Sequence, residues 1–137
     1  MKTVVIYYSY TGNTKEVAQD KASKVGAELI EVLEVKRRGK LRTYLGGPLK
    51  GIRRKRVAIK QVDNNLSDFD EIIIATPIWA SYPVPAFNNI VDLLPSEKQV
   101  KLIFTSKNGS SAESEEGTKA LIKAKNCELV AYTDVKS

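Results

Sequence analysis

The sequence predicts an α/β protein in which strands and helices alternate around a parallel sheet covered on both faces. Three observations support this class. Short β-branched runs recur along the chain, amphipathic stretches of helical spacing separate them, and residues 71–75 form a nearly continuous apolar run typical of a central parallel strand. The length of 137 residues and an ordinary mixed composition predict one globular domain, residues 1–137.

The first part of the pattern is a strand, a helix and a second strand. Residues 3–8 are β-branched and aromatic, which predicts a buried strand. Residues 14–25 carry apolar side chains at helical spacing on one face, and Gly26 follows as a stop signal. Charges recur through residues 28–35, which predicts a strand near the edge of the sheet.

The net charge of +6 is concentrated in one segment, residues 36–60, which we call the basic insert. It holds 11 of the 22 lysines and arginines and no acidic residue, so the rest of the chain sums to −5. Gly46-Gly47-Pro48 interrupts its apolar stripe, which predicts two short helical turns. The insert either binds an acidic surface or is a solvated excursion, and no recognised nucleic-acid motif accompanies it.

The remaining elements follow the central strand at residues 71–75. Apolar residues recur at helical spacing within residues 86–94, and Pro95 closes that helix. Residues 100–105 and 128–133 are predicted as strands four and five, with a helix at 112–124 between them. We expect the helix that would follow strand five to be missing, and a homodimer or part of the basic insert to cover the apolar face left there.

Several kinds of site are excluded by composition. The chain has no histidine and a single cysteine, Cys127, which excludes an internal disulfide, a Cys/His zinc cluster and an imidazole-based triad. Its longest apolar run falls short of the roughly 20 residues that cross a bilayer, and no secretory signal precedes the first strand. We therefore expect a cytoplasmic protein without a transmembrane segment.

The most informative segment is the turn between the first strand and the first helix, Ser9-Tyr10-Thr11-Gly12-Asn13-Thr14. Gly12 allows the backbone to approach a ligand, the first-turn amides and the helix dipole favour an anion, and the hydroxyls add uncharged donors. This combination favours a phosphate monoester. A plain helix cap is the alternative. The glycine patterns of dinucleotide and ATP sites, G-x-G-x-x-G and G-x-x-x-x-G-K-[ST], do not occur.

Together with the strand before it, this turn resembles the FMN phosphate loop of flavodoxins and flavodoxin-like flavoproteins. The resemblance extends to Tyr44-Leu45-Gly46-Gly47 and to residues 70–80, which are typical of small flavodoxin family proteins. It implies a doubly wound, five-stranded sheet of order 2-1-3-4-5. The ligand would bind where the order reverses, at the carboxyl ends of strands one and three, and three loops would converge there.

The resemblance also implies which residues bind FMN. The loop residues implied at the phosphate are Ser9, Tyr10, Thr11, Gly12, Asn13 and Thr14. The residues implied to flank the isoalloxazine ring are Thr76, Pro77, Ile78, Trp79 and Ala80. Those implied at its pyrimidine edge are Ser106, Lys107, Asn108 and Gly109. Trp79 is the only tryptophan and follows a strand end, and aromatic faces stack on flavins.

One position departs from the family pattern. Many flavodoxins carry a glycine beside the flavin ring, where the matching stretch of this chain reads Trp79-Ala80-Ser81. The resemblance therefore does not predict the one-electron behaviour that this glycine allows.

These implications predict an FMN-binding redox protein in which the flavin carries the electrons and no side chain acts as acid or base. Electrons would pass to a redox partner protein or a small-molecule acceptor. The enzyme alternative is an FMN-dependent oxidoreductase that moves hydride from NADH or NADPH to a quinone or another acceptor. A module whose basic insert binds an acidic partner is a second alternative. A domain that has lost its cofactor is a third, against which the intact first loop argues.

Overall fold

The computed structural model describes residues 1–35 and 55–137. Most of the basic insert, including the predicted helical turns and Tyr44-Leu45-Gly46-Gly47, lies outside these residues. The described elements in chain order are β1 (Thr3–Tyr7), α1 (Asn13–Val25), β2 (Glu28–Glu31), β3 (Glu71–Trp79), β4 (Tyr82–Pro83), α2 (Pro85–Asp92), β5 (Gln99–Ser106), α3 (Glu115–Ala124) and β6 (Glu128–Lys136). Single 3₁₀ turns at Leu66–Asp68 and Ala112–Ser114 precede β3 and α3.

The strands form one sheet of order β2-β1-β3-β5-β6, and every neighbouring pair along it is parallel. The two-residue β4 pairs antiparallel with the end of β3. When β4 is set aside, this is the predicted order 2-1-3-4-5, and the doubly wound fold class is confirmed. The chain passes from β1 outward to β2 and then returns across β1 to β3. The carboxyl ends of β1 and β3 therefore border a crevice.

Two apolar cores lie on opposite faces of the sheet, because successive side chains of each strand point in opposite directions. The larger core is covered by α2 and α3, and it includes the rings of Phe87 and Phe104, whose centroids are 5.3 Å apart. Ala18 and Ala22 of α1 cover the smaller core. The burial of both faces explains why β3 is apolar from Ile72 to Ala75.

Beside α1, the same sheet face carries a groove of about 260 Å³. Its floor includes Ile103 of β5 and Ala131, Thr133 and Val135 of β6. The groove lies along β5 and β6, at one edge of the sheet. Its covering by a homodimer or by the basic insert stays a prediction. Within the described ranges, every helix is too short or too polar to cross a bilayer.

Three strands differ from their predicted lengths by three residues or more, and one of them, β6, continues past residue 133 to Lys136. β2 ends at Glu31 instead of continuing to residue 35. Beyond it, the amide of Val35 donates to the carbonyl of Ala58, and the amide of Lys60 donates to the carbonyl of Leu33, both at 2.8 Å. An alternating pattern cannot distinguish a parallel edge strand from this short antiparallel pairing. β3 instead runs past residue 75 to Trp79, because pairing with β5 and β4 extends it.

Helix α2 holds the chain where it returns from the basic insert. The side-chain amide of Asn89 accepts from the Val57 amide at 3.0 Å and donates to the Val57 carbonyl at 2.7 Å, as a neighbouring strand would. Asn88 donates to the carbonyl of Lys55 at 2.7 Å. Arg56 forms a two-bond ion pair with Asp92, which lowers the pKa of that carboxyl. The returning segment is therefore fixed to the fold.

Thr118 provides a test of packing in the larger core. It is fully buried in α3, and its hydroxyl meets no partner among the described residues. An unpaired buried hydroxyl costs roughly 1–3 kcal/mol, whereas valine has the same shape without it. We expect Thr118→Val to raise the free energy of unfolding by about 1 kcal/mol in urea denaturation. Thr133→Val at an exposed position is the control, with an expected change under about 0.5 kcal/mol. A destabilised Thr118→Val would show that the hydroxyl is bonded.

Candidate functional site

The carboxyl ends of β1, β3 and β5 open into one cavity of about 560 Å³. This volume lies within the roughly 300–1,000 Å³ of small-molecule sites. The lining residues are Tyr10, Thr11, Asn13, Thr14, Pro77, Ile78, Trp79, Ala80, Ser81, Thr105, Ser106, Lys107, Asn108 and Ser137. The three loops that the sequence predicts to converge are therefore brought together at one place.

Four predicted site residues do not line this cavity. Ser9 and Gly12 are hydrogen-bonded to each other within the first loop. Thr76 is fully buried, and its hydroxyl has no partner among the described residues. Gly109 lies against Lys136. Three lining residues were not predicted, namely Ser81, Thr105 and Ser137. Thr105 stands near the end of an apolar strand. Apart from its position next to Ser106, nothing in the sequence indicates that it lines a site.

The first loop has the geometry of an anion site. Ser9 Oγ accepts from the amide of Gly12 at 3.0 Å and from the amide of Lys15 at 3.2 Å, which folds the loop onto the start of α1. Gly12 is the N-cap of α1 with a φ of +102°, and it offers no side chain to the first-turn amides. Among the described residues, no acceptor meets the amides of Asn13 and Thr14. These amides and the helix dipole are available to an anion.

A hydroxyl pair joins this loop to the end of β5. Thr14 Oγ1 and Thr105 Oγ1 lie 2.8 Å apart, and each residue is 2% exposed. The two residues are 91 positions apart in sequence, so the fold alone creates the contact. The bond sets the first turn of α1 against the strand end that forms the cavity wall.

Two aromatic rings form another part of the wall. The Tyr10 and Trp79 centroids are 5.2 Å apart with an interplanar angle of 89°, an edge-to-face arrangement. Tyr10 belongs to the first loop and is 59% exposed. Trp79 is half-buried at the end of β3. The ring pair therefore joins the first loop to the end of β3.

The turn after Trp79 has a strained backbone. Ala80 and Ser81 join β3 to β4 with φ values of +51° and +71°. Positive φ at both central residues is typical of a type I′ hairpin turn, for which asparagine and glycine are the usual residues. This chain thus adopts the left-handed turn without the glycine that such a turn usually carries.

This strain leads to a stability prediction. Left-handed backbone costs a non-glycine residue roughly 1–2 kcal/mol, and the added freedom of glycine when unfolded offsets part of that gain. We expect Ala80→Gly to raise the free energy of unfolding by roughly 0.5–1 kcal/mol in urea denaturation. Ala120→Gly, the same change on the exposed face of α3, should lower it by about 1 kcal/mol. Equal losses for both variants would contradict the strain.

The third loop is held by β6. The Ser111 amide donates to Asp134 Oδ2 at 3.1 Å, and the Ser111 hydroxyl donates to Asp134 Oδ1 at 2.6 Å. Gly109 has a φ of +71°, and a Cβ there would meet the Cβ of Lys136 at 3.2 Å. Ser106 Oγ accepts from the Gly109 amide at 2.9 Å. The loop is thus shaped by internal bonds before any ligand arrives.

The cavity wall is mostly uncharged. Among the described lining residues, Lys107 alone carries a charged side chain, and it is exposed. The other polar groups are hydroxyls, side-chain amides and backbone amides. The site therefore offers an anion many neutral donors at one end and an aromatic surface at the other.

No protein-family model matches the sequence, and no curated protein matches it. Solved structures do match. A candidate flavoprotein from Bacteroides eggerthii superposes with a TM-score of 0.79 at 22% identity, over 96% of this chain and 86% of its own. A flavoprotein from Lactobacillus acidophilus, crystallised in complex with FMN, gives a TM-score of 0.68 at 22% identity, over 96% and 91%.

A more distant match extends the comparison to a flavodoxin. Oxidised flavodoxin 1 from Bacillus cereus gives a TM-score of 0.60 at 15% identity, over 100% of this chain and 86% of its own. The strand order and the crevice at its reversal agree with these similarities. The chain therefore has the flavodoxin-like fold.

Proposed function

We propose that the protein binds FMN and transfers electrons through the bound flavin. The observation that supports this most is the cavity itself, which joins an uncharged, donor-rich helix N-terminus to the only tryptophan of the chain. A similarly folded protein crystallised with FMN supports the same ligand. Bound flavin supplies the one- or two-electron chemistry, and the protein supplies binding, orientation and electrostatics.

The first loop fits the phosphate end of FMN. The amides of Asn13 and Thr14 and the hydroxyls of Thr11 and Thr14 are donors on or beside the cavity wall. Hydrogen bonds to a charged group contribute roughly 1.5–3 kcal/mol each, so several of them hold a dianion without a lysine. Ser9 keeps these donors in place by bonding the amides of Gly12 and Lys15.

The other two loops fit the ring end. Trp79 offers an aromatic face or edge, and the hairpin turn at Ala80 and Ser81 brings backbone close to the same space. Lys107 and Asn108 line the same cavity, and we place the polar edge of the ring beside them. A lysine at that edge favours the negative charge that a reduced flavin carries.

The proposal is tested by titrating the purified protein with FMN and, separately, with riboflavin, which lacks the phosphate. We expect FMN to bind at least about tenfold more tightly, because its phosphate accepts charge-assisted hydrogen bonds from the first loop. Flavin binding should also quench the emission of Trp79, the only tryptophan. Failure to bind FMN would refute the proposal, and equal affinity for both flavins would refute the phosphate site.

A turnover measurement distinguishes an electron carrier from an enzyme. The flavin-loaded protein is mixed with NADH or NADPH and a quinone, and oxidation of the nicotinamide is followed. For an electron carrier, as we propose, we expect the rate of nicotinamide oxidation to be no higher than that with free FMN. Sustained turnover would favour the oxidoreductase alternative.

A further inference from the structure

The hydroxyl pair of Thr14 and Thr105 carries a consequence for how a phosphate would be bound. Each hydroxyl has one proton to donate and two lone pairs to accept with. Across the 2.8 Å contact, one hydroxyl donates and the other accepts. Among the described residues, no other group bonds either hydroxyl, so either direction is open when the site contains no anion.

An anion beside α1 selects one direction. If Thr14 donates to Thr105, the proton of Thr14 is no longer available to a ligand. If Thr105 donates to Thr14, the Thr14 hydroxyl is free to donate to an oxygen placed at the start of α1. A phosphate attracts donated protons, and the bond from Thr105 polarises the Thr14 hydroxyl in the same direction.

We propose that Thr105 is a positioning residue for phosphate recognition: by donating to Thr14 Oγ1, it directs the Thr14 proton toward the phosphate. Both residues border the cavity and both are 2% exposed, so water competes little with either bond. In this arrangement Thr105 acts on the phosphate through Thr14. The inference rests on the proposed FMN site and adds a specific device to it.

The test measures affinity for FMN and for riboflavin in the same set of variants. Thr105→Val removes the hydroxyl and keeps the shape. We expect it to weaken FMN binding about tenfold and to change riboflavin binding less than about twofold, because only FMN carries the phosphate. Thr105→Ser keeps the hydroxyl and should retain the affinity for FMN. Thr118→Val, another buried threonine outside the cavity, is the control and should leave both affinities unchanged.

A double-mutant cycle with Thr14 tests the pathway. If Thr105 acts through Thr14, then Thr105→Val should have no further effect on FMN affinity in a Thr14→Val background. Additive losses would overturn the inference. Equal losses of FMN and riboflavin affinity in Thr105→Val would also overturn the inference, because they would show that the bond to Thr14 only stabilises the fold. Unchanged FMN affinity in Thr105→Val would overturn it as well.

These outcomes are distinct from failure of the proposed function. A wild-type protein that binds neither flavin would refute FMN binding itself, and the inference with it. If the wild-type protein prefers FMN and Thr105→Val keeps the same preference, the inference alone is refuted and the proposed function stands.

Discussion

Gly12→Val is expected to abolish FMN binding, with a loss of affinity of more than about 100-fold in flavin fluorescence titrations, while riboflavin binding falls far less. Gly12 caps α1 at a φ of +102°, a conformation that a β-branched residue rarely adopts. A Cβ at this position would meet no protein atom within 4 Å, so valine disturbs the loop through its backbone and not through a clash. The first-turn amides would then turn away from the phosphate.

Gly26→Val is the matched control, because Gly26 caps the other end of the same helix with a φ of +68° and equally open surroundings. Both substitutions should lower the free energy of unfolding by at least about 1–2 kcal/mol. Circular dichroism gives the folded fraction of each variant. Among the folded molecules, only those of Gly12→Val should lose FMN binding. Equal loss in both variants would show that helix stability, and not the loop, determines binding. Gly12→Ala serves if the valine variant does not fold.

Trp79→Ala is expected to weaken FMN and riboflavin binding to the same extent, about 10- to 100-fold. Stacking of a planar heterocycle on an aromatic side chain contributes roughly 1–3 kcal/mol, and both flavins have the same ring. The substitution also removes the contact between the rings of Trp79 and Tyr10, whose centroids lie 5.2 Å apart. Flavin fluorescence is the measurement, since the variant has no tryptophan.

Trp79→Phe is the control, because it keeps an aromatic face at the end of β3 and should recover most of the affinity. Loss of FMN affinity alone in Trp79→Ala would place the residue at the phosphate and contradict its assignment to the ring. Together with Gly12→Val, the variant distinguishes the two ends of the ligand.

Much of the fold could be predicted because local patterns and tertiary structure agree. The apolar run in β3 results from burial on both faces, and the helical spacing of Ala18 and Ala22 matches the core under α1. The first loop was predictable for a similar reason. The turn itself requires small residues, hydroxyl residues and a glycine, and this requirement does not depend on what packs around the loop.

The remaining features depend on contacts between distant parts of the chain. The pairing of Thr14 with Thr105 spans 91 positions, and no local pattern in β5 indicates it. Asn89 reads as an ordinary polar helix residue until the structure places Val57 against it. The left-handed turn at Ala80 and Ser81 was missed because its usual glycine signal is absent.

The antiparallel bonds between residues 33–35 and 58–60, with the hold of α2 on Val57, have a consequence for how the protein tolerates change. They hold together the two parts of the chain that flank residues 36–54. The entropy of closing a loop rises only with the logarithm of its length, so lengthening or shortening the chain between these bonds changes their closure cost little. The bonds therefore fix where the chain leaves and re-enters the described fold, whatever the number of residues between them.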